Sequence, residues 1–316
     1  MSIGIGLGLA GFPFSTPTAF FEWIDLCEER GVDSVWLSER IVSRTPTPEL
    51  MTTFGIIAGR TERLKFGMNA IVVSLRDPLI LAKECASLDY LSGGRLLPVF
   101  GVGGETNPEF RATNRSAKGR GSQSDEALDI MAQLWTGEPV SYSGKHYQYT
   151  DAIISPKPAQ DPLPLWIGGS SEAAIRRTAR IGTGWLGGIQ TPAQVKPVVA
   201  AIRAAAQENG RVIDDDHYGA GFAFRFGSTD EPVVQRTAAG YSRLPDVGDP
   251  MSYFAVGSAK DIASRVNEYI EAGVSKFVLR PIADSDEEIL AQTRRLTEEV
   301  IPRFAGNRVA VTSAAG

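Results

Sequence analysis

The chain has 316 residues, 43% hydrophobic and 22% charged, with a formal net charge of −5; this is the balance of an ordinary globular protein and excludes a disordered or fibrous chain. A net negative charge gives no general attraction to nucleic acid or to an anionic membrane, so a small molecule is the expected partner. The start, MSIGIGLGLAGFPF, lacks the basic head and apolar core of a secretory signal, and no apolar run approaches the ~18 residues that span a bilayer, which makes the cytoplasm the expected location.

Strand-like apolar runs alternate with helical periodicity along the chain. IGIGLGLA is followed by TAFFEWIDLCEERG, where Phe20, Ile24 and Cys27 share one helical face and Gly31 stands at the C-cap position. The same plan repeats in DSVWLSE with ELMTTFGIIAGRT, LKFGMNAIV with DPLILAKECASLDYLSGG, and RLLPVFGVG with GSQSDEALDIMAQLW. The stretch TGEPVSYSGKHYQYTDAIISPKPAQDP then alternates aromatic and polar residues and reads as an inserted hairpin with a proline-rich return. PLWIGG with SEAAIRRTARIG and GWLGG with PAQVKPVVAAIRAAAQENG resume the repeat. HYGAGFAFRFG leads into a long irregular segment, the helix SAKDIASRVNEYIEAG lies beyond it, and SKFVLRP with SDEEILAQTRRLTEEVIPRF closes the pattern.

Eight strand–helix units predict an α/β protein, a (β/α)8 TIM barrel with an insertion between helix 4 and strand 5. One domain is expected over 1–304, with 305–316 as a flexible tail. A doubly wound open sheet is the alternative, since it alternates in the same way. The two cysteines, Cys27 and Cys85, stand inside helical patterns and read as buried packing residues, with neither a disulfide nor a metal site expected.

In a barrel the chemistry sits at the C-terminal ends of the strands, which here lead into loops at Gly11, Glu39, Ala70, Gly103, Gly168, Gly187, Arg225 and Arg280. The fifth strand ends on Gly168-Gly169 and hands over to a helix starting near Ser170. Free backbone N–H groups, the positive end of a helix dipole and the Ser170 or Ser171 hydroxyl make such a junction an anion cradle. Gly187 and Gly188 clear the neighbouring sixth strand, with Gln190 and Thr191 as further donors, so one phosphate is expected between the two strands. The bland alternative is that each glycine pair only turns the chain. Gly103 and Gly104, in GVGGETNPEF, form a third glycine-rich end that no helix closely follows, and they are expected to run along a flat ring.

LDYLSGGRLLPVFGVGGETNPEFRATN, DEALDIMAQLW with SYSGKHYQY, SPKPAQDPLPLWIGGSSEAAIRRTARIGTGWLGG, and AGVSKFVLRP with EEVIPRF resemble the luciferase-like monooxygenase superfamily, and most closely its coenzyme F420-dependent oxidoreductases. The resemblance implies an F420-dependent oxidoreductase that transfers a hydride between the deazaflavin and a small organic substrate. It leaves open an FMN-dependent monooxygenase using dioxygen, or a noncatalytic flavin-binding barrel. It also implies a homodimer, and a non-proline cis peptide at Asn69-Ala70 beneath the cofactor ring.

Where F420 relatives often carry an Asp-His pair, strand two here ends in Glu39-Arg40. Glu39 is a candidate proton donor if burial raises its pKa, and Arg40 a candidate clamp for a substrate carbonyl or carboxylate; a mutual ion pair is the alternative. Glu105, Asn107 and Arg280 are the expected substrate-binding residues. The basic run Arg111, Arg115, Lys118 and Arg120 suits the polyglutamate tail that the resemblance implies, with Arg120 the one expected to be tied down. His146 and His217 are read as structural or exposed.

Overall fold

The computed structural model describes residues 2–9, 11–243 and 248–305. Its elements begin with β1 (Gly4–Leu9), α1 (Pro17–Glu29), β2 (Ser34–Leu37), α2 (Leu50–Arg60), β3 (Lys65–Met68), β4 (Ile71–Val72), α3 (Pro78–Ser92), β5 (Leu96–Leu97) and β6 (Val99–Gly101). They continue with α4 (Pro108–Ala112), α5 (Arg120–Leu134), the antiparallel pair β7 (Val140–Ser143) and β8 (Gln148–Ala152), β9 (Trp166–Gly168), α6 (Glu172–Ile181), β10 (Gly184–Ile189) and α7 (Pro192–Glu208). The last are β11 (Tyr218–Gly221), β12 (Ala223–Phe226), α8 (Pro232–Tyr241), β13 (Phe254–Gly257), α9 (Ala259–Glu271), β14 (Lys276–Pro281) and α10 (Asp286–Glu299).

Local chemistry sets the helix starts. Asp77 accepts from the Leu79 and Ile80 amides with Pro78 at the first helical position, and Gly93, at φ +69°, closes the same helix in the left-handed region. Thr191 and Gln194 form a reciprocal capping box at α7.

The parallel strands close on themselves. β1 pairs with β14 on one side and β2 on the other, β2 with β3, and β3 with β5. Above the break at Asn69-Ala70 the third stave continues as β4, which pairs with β6. The ring is completed by β6 with β9, β9 with β10, β10 with β11, and β11 with β14. This is the predicted TIM barrel, and the β7–β8 hairpin lies between α5 and β9, where the sequence places it.

Inward positions alternate with outward ones, and the middle of the lumen is packed by Trp36, Val99, Trp166, Leu186 and Val278. Two indoles fit because their neighbours have no side chain: a Cβ at Gly67 would overlap the Trp36 ring, and one at Gly184 the Trp166 ring. Burying an indole contributes on the order of 3–5 kcal/mol, so these glycines serve the core. The outer layer between staves and helices forms the main hydrophobic cluster, where Cys27 and Cys85 lie fully buried as expected.

Two expectations need correction. The stretch after stave seven is not irregular throughout: it holds α8 and β13, and β13 pairs with β12 from Ala223↔Phe254 onward. A four-residue strand behind a short helix is too brief to show a period. The Gly103-Gly104 end does have a helix close behind it, since Asn107 and Pro108 start the five-residue α4. The expected tail lies outside the described residues apart from Ala305. Among the described residues no helix is long and apolar enough to cross a membrane.

Candidate active site

At the C-terminal rim the lumen changes character. Gly168 at the end of β9 faces Ala70 and Val99: a Cβ there would stand 3.4 Å from the Ala70 methyl and 3.6 Å from Val99 Cγ1. A Cβ at Gly101 would lie 3.6 Å from the same methyl. Ala70, Gly101 and Gly168 therefore converge from three adjacent staves on a shallow floor whose largest group is a methyl. Gly188, on stave six, has open space where its side chain would be. The Asn69-Ala70 peptide is cis, as the resemblance implies.

The glycine-rich ends of staves five and six are adjacent, with Trp185 Nε1 donating to the Gly169 carbonyl at 2.7 Å. Gly169 has φ +102°, a conformation that favours glycine. Helix α6 starts at Glu172, close to the expected position, and Ser171 caps it by accepting from the Ala174 amide. The Ser170 hydroxyl is bonded to Gln190 Oε1 at 2.6 Å, and the Gly169 amide reaches Leu186 O at 3.4 Å. The Ser170 and Ser171 amides are left without a partner among the described residues. A Cβ at Gly187 would meet the Trp185 ring at 2.8 Å, so that glycine accommodates packing, while Gly188 faces open space.

Glu39 and Arg40 do not pair with each other. The Glu39 carboxylate, 5% exposed, accepts from the Val72 amide at 2.8 Å and is paired with Arg76, which also binds Glu49 at 3.0 Å. Burial pushes the Glu39 pKa up, against the pull of the Arg76 guanidinium. Glu39 is thus occupied in bracing β4, the strand that follows Ala70. Arg40 turns instead toward Glu109 on α4, at 3.9 Å. Glu109 is buried, and its Oε2 has no hydrogen-bond partner among the described residues. Nothing in the sequence pattern marks this residue, because a glutamate in a five-residue helix carries no period of burial.

Glu105, Asn107 and Arg280 separate into two cavities. Glu105 and Asn107 line an open cleft of about 680 Å³ with Arg111 and Arg115. Arg280 lines another of about 210 Å³, between the ends of staves one, seven and eight, with Tyr241 and Thr237 of α8. Gly103, at φ +68°, packs against Val72 and Phe110 and accepts from Arg120 Nε at 3.0 Å, so Arg120 is tied down, whereas Gly104 is open. The histidines lie elsewhere: His146 is bonded to Ser122 in the hairpin region at 2.9 Å, and His217, before β11, meets the Thr183 carbonyl at 2.8 Å.

Fold and rim together define a TIM-barrel enzyme whose open floor and unpartnered amides meet at the C-terminal face. The chain belongs to the luciferase-like monooxygenase family, whose profile matches residues 6–298, and it is an oxidoreductase. Its relatives include an F420-dependent glucose-6-phosphate dehydrogenase of Amycolatopsis mediterranei (strain U-32), 25% identical and covering 91% of this chain and 95% of that protein. The solved structure of the coenzyme F420 dependent tetrahydromethanopterin reductase from Methanopyrus kandleri superposes with TM-score 0.76 at 21% identity, covering 96% of this chain and all of the other. A monooxygenase from Streptomyces bottropensis superposes with TM-score 0.81 at 20% identity, covering 96% of this chain and 100% of its own.

Proposed function

We propose that the protein is an F420-dependent oxidoreductase that passes a hydride between the deazaflavin and a small organic substrate. The observation that carries this reading is the floor of Ala70, Gly101 and Gly168: a flat polycyclic ring needs a wide surface with no side chain rising from it, and a Cβ at Gly168 would stand on that surface. When bound, a deazaflavin supplies a carbon that accepts or gives up a hydride, and the protein supplies position and electrostatics. The Ser170 and Ser171 amides, with the gap at Gly188, would hold the anionic part of its tail. Glu39 would act as a brace for the floor through the Val72 amide, not as the proton donor, since both its oxygens are engaged. The choice of F420 is supported by relatives such as the Microbacterium testaceum F420-dependent glucose-6-phosphate dehydrogenase, 27% identical over 91% of this chain.

A second reading, an FMN-dependent monooxygenase, is the alternative that the resemblance leaves open, and a monooxygenase shares the fold. Equilibrium binding of F420 and FMN, followed by absorbance, separates the two. F420 bound at least about tenfold more tightly is the expected result; preference for FMN with turnover that requires dioxygen would reject the first reading, and failure to bind either would leave a noncatalytic barrel. The open cleft beside Arg111 and Arg115 fits an acidic cofactor tail. The homodimer rests on the same resemblance; the exposed Ile80, Tyr90 and Leu91 of α3 offer an apolar face for a second copy, which size-exclusion chromatography with light scattering would test.

A further inference from the structure

The smaller cavity lies between the ends of staves one, seven and eight. Its walls are mostly hydrocarbon: Leu9, Pro13, Ala223, Ile282 and Ile289 surround the space, and among the described residues only Arg280, Tyr241 and Thr237 bring polar side-chain atoms to it. Arg280 has no carboxylate partner among the described residues, and the bond it makes is a long one, Nη2 to the Tyr241 hydroxyl at 3.4 Å. Its stem passes Gly8, where a Cβ would lie 3.5 Å from Arg280 Cγ, so the side chain enters from the lumen face of stave eight. The Tyr241 ring is held edge-on against Phe254, with centroids 4.7 Å apart, which fixes where its hydroxyl points. A guanidinium and a phenol thus meet at one end of a pocket of about 210 Å³ that is otherwise apolar.

Such a pocket suits one oxygen-bearing head and a short hydrocarbon body. A hexose would bury several hydroxyls against aliphatic walls without partners, and each unpaired hydroxyl costs on the order of 1–3 kcal/mol. A phosphate dianion would meet one cation here; among the described residues no second cation lines the space. We infer that this cavity binds a small, mostly apolar substrate through one carbonyl or carboxylate oxygen, which accepts hydrogen bonds from Arg280 and Tyr241, and discriminates against sugar phosphates. The inference rests on the reading of the C-terminal face as the active site, and it departs from what the relatives' names would suggest.

The test is direct binding, by calorimetry and saturation-transfer NMR, of a five-carbon 2-oxo acid and of glucose 6-phosphate, each with and without F420. The 2-oxo acid should bind at least about tenfold more tightly than glucose 6-phosphate. Arg280→Met should weaken it by a further tenfold or more, Arg280→Lys should restore part of the loss, and Tyr241→Phe should weaken it several-fold, with F420 affinity unchanged throughout. Glucose 6-phosphate binding as tightly as the 2-oxo acid, or an Arg280→Met variant that keeps wild-type affinity and unfolding temperature, would overturn the inference. A protein that binds the 2-oxo acid in an Arg280-dependent way but not F420 would overturn only the cofactor assignment.

Discussion

The two ends of one barrel strand treat a cation in opposite ways. Lys276 and Arg280 lie on the same face of β14, but Lys276, at the base, is paired with Asp33, which Lys65 also approaches at 3.3 Å. Burial alone would lift the Asp33 carboxyl, yet the two ammonium groups and the hydrogen bonds from Lys276 and Ser34 hold its pKa down at about 2. Arg280, at the rim, faces a cavity and no carboxylate among the described residues. The base is neutralised and closed, and the rim is left with unspent charge and missing side chains. A neutralised buried cation belongs to the foundation of the fold; one left open belongs to recognition.

The contrast is most strongly broken at the base. Asp33→Asn leaves Lys276 buried beside a neutral amide and should cost about 3 kcal/mol in urea unfolding, whereas pairing it with Lys276→Met should recover most of that loss. Arg280→Met, by comparison, should change stability by less than about 1 kcal/mol. At the rim, Gly168→Val should lower F420 affinity by about tenfold to a hundredfold with an unchanged unfolding temperature, because the added Cβ makes only ordinary contacts with the protein but rises from the floor. Unchanged affinity would remove the floor as the ring site. Gly188→Asp should weaken F420 binding by about tenfold, by setting a carboxylate near the anionic tail; it is a cleaner probe than Gly169→Asp, whose φ of +102° would add strain of its own.

The pH dependence of stability sharpens the comparison further. Because the folded pKa of Asp33 lies below its unfolded value of about 3.9, its contribution is present above pH ~4 and is lost as pH falls toward about 2. That acid loss should vanish in Asp33→Asn. Glu39 has the opposite sign. Its folded pKa is raised, so its contribution declines as pH rises from its unfolded value of about 4.3 toward the folded one. Glu39→Gln should flatten this decline and change stability by less than about 1 kcal/mol, since the burial cost and the Arg76 pairing offset each other.

The alternation of strand and helix was legible because each unit is long enough to show its period, and the glycine ends of staves five and six were legible because both doublets are contiguous. What was hidden depends on distance along the chain. The floor needs Ala70, Gly101 and Gly168 from three staves, and only the register of the barrel brings them together. The real partner of Glu39 lies 37 residues away, while its neighbour Arg40 offered a false one. Glu105 and Arg280 looked like one substrate set because both follow strands, but a rim has a circumference, and they stand over different parts of it. Tyr241 was missed because its helix was.

The parting of stave seven at Phe222 bears on how such a protein changes over time. Below it, β11 is bonded on both sides, to β10 and β14; above it, β12 takes β13 as a neighbour while keeping β14. β12, α8 and β13 therefore hang from a completed hoop, secured by the Arg225 bonds to Glu231 and Glu288. Insertions or replacements in that stretch can reshape one wall of the entrance without disturbing the hoop beneath, which makes it the place where a lineage built on this scaffold could trade one diet for another.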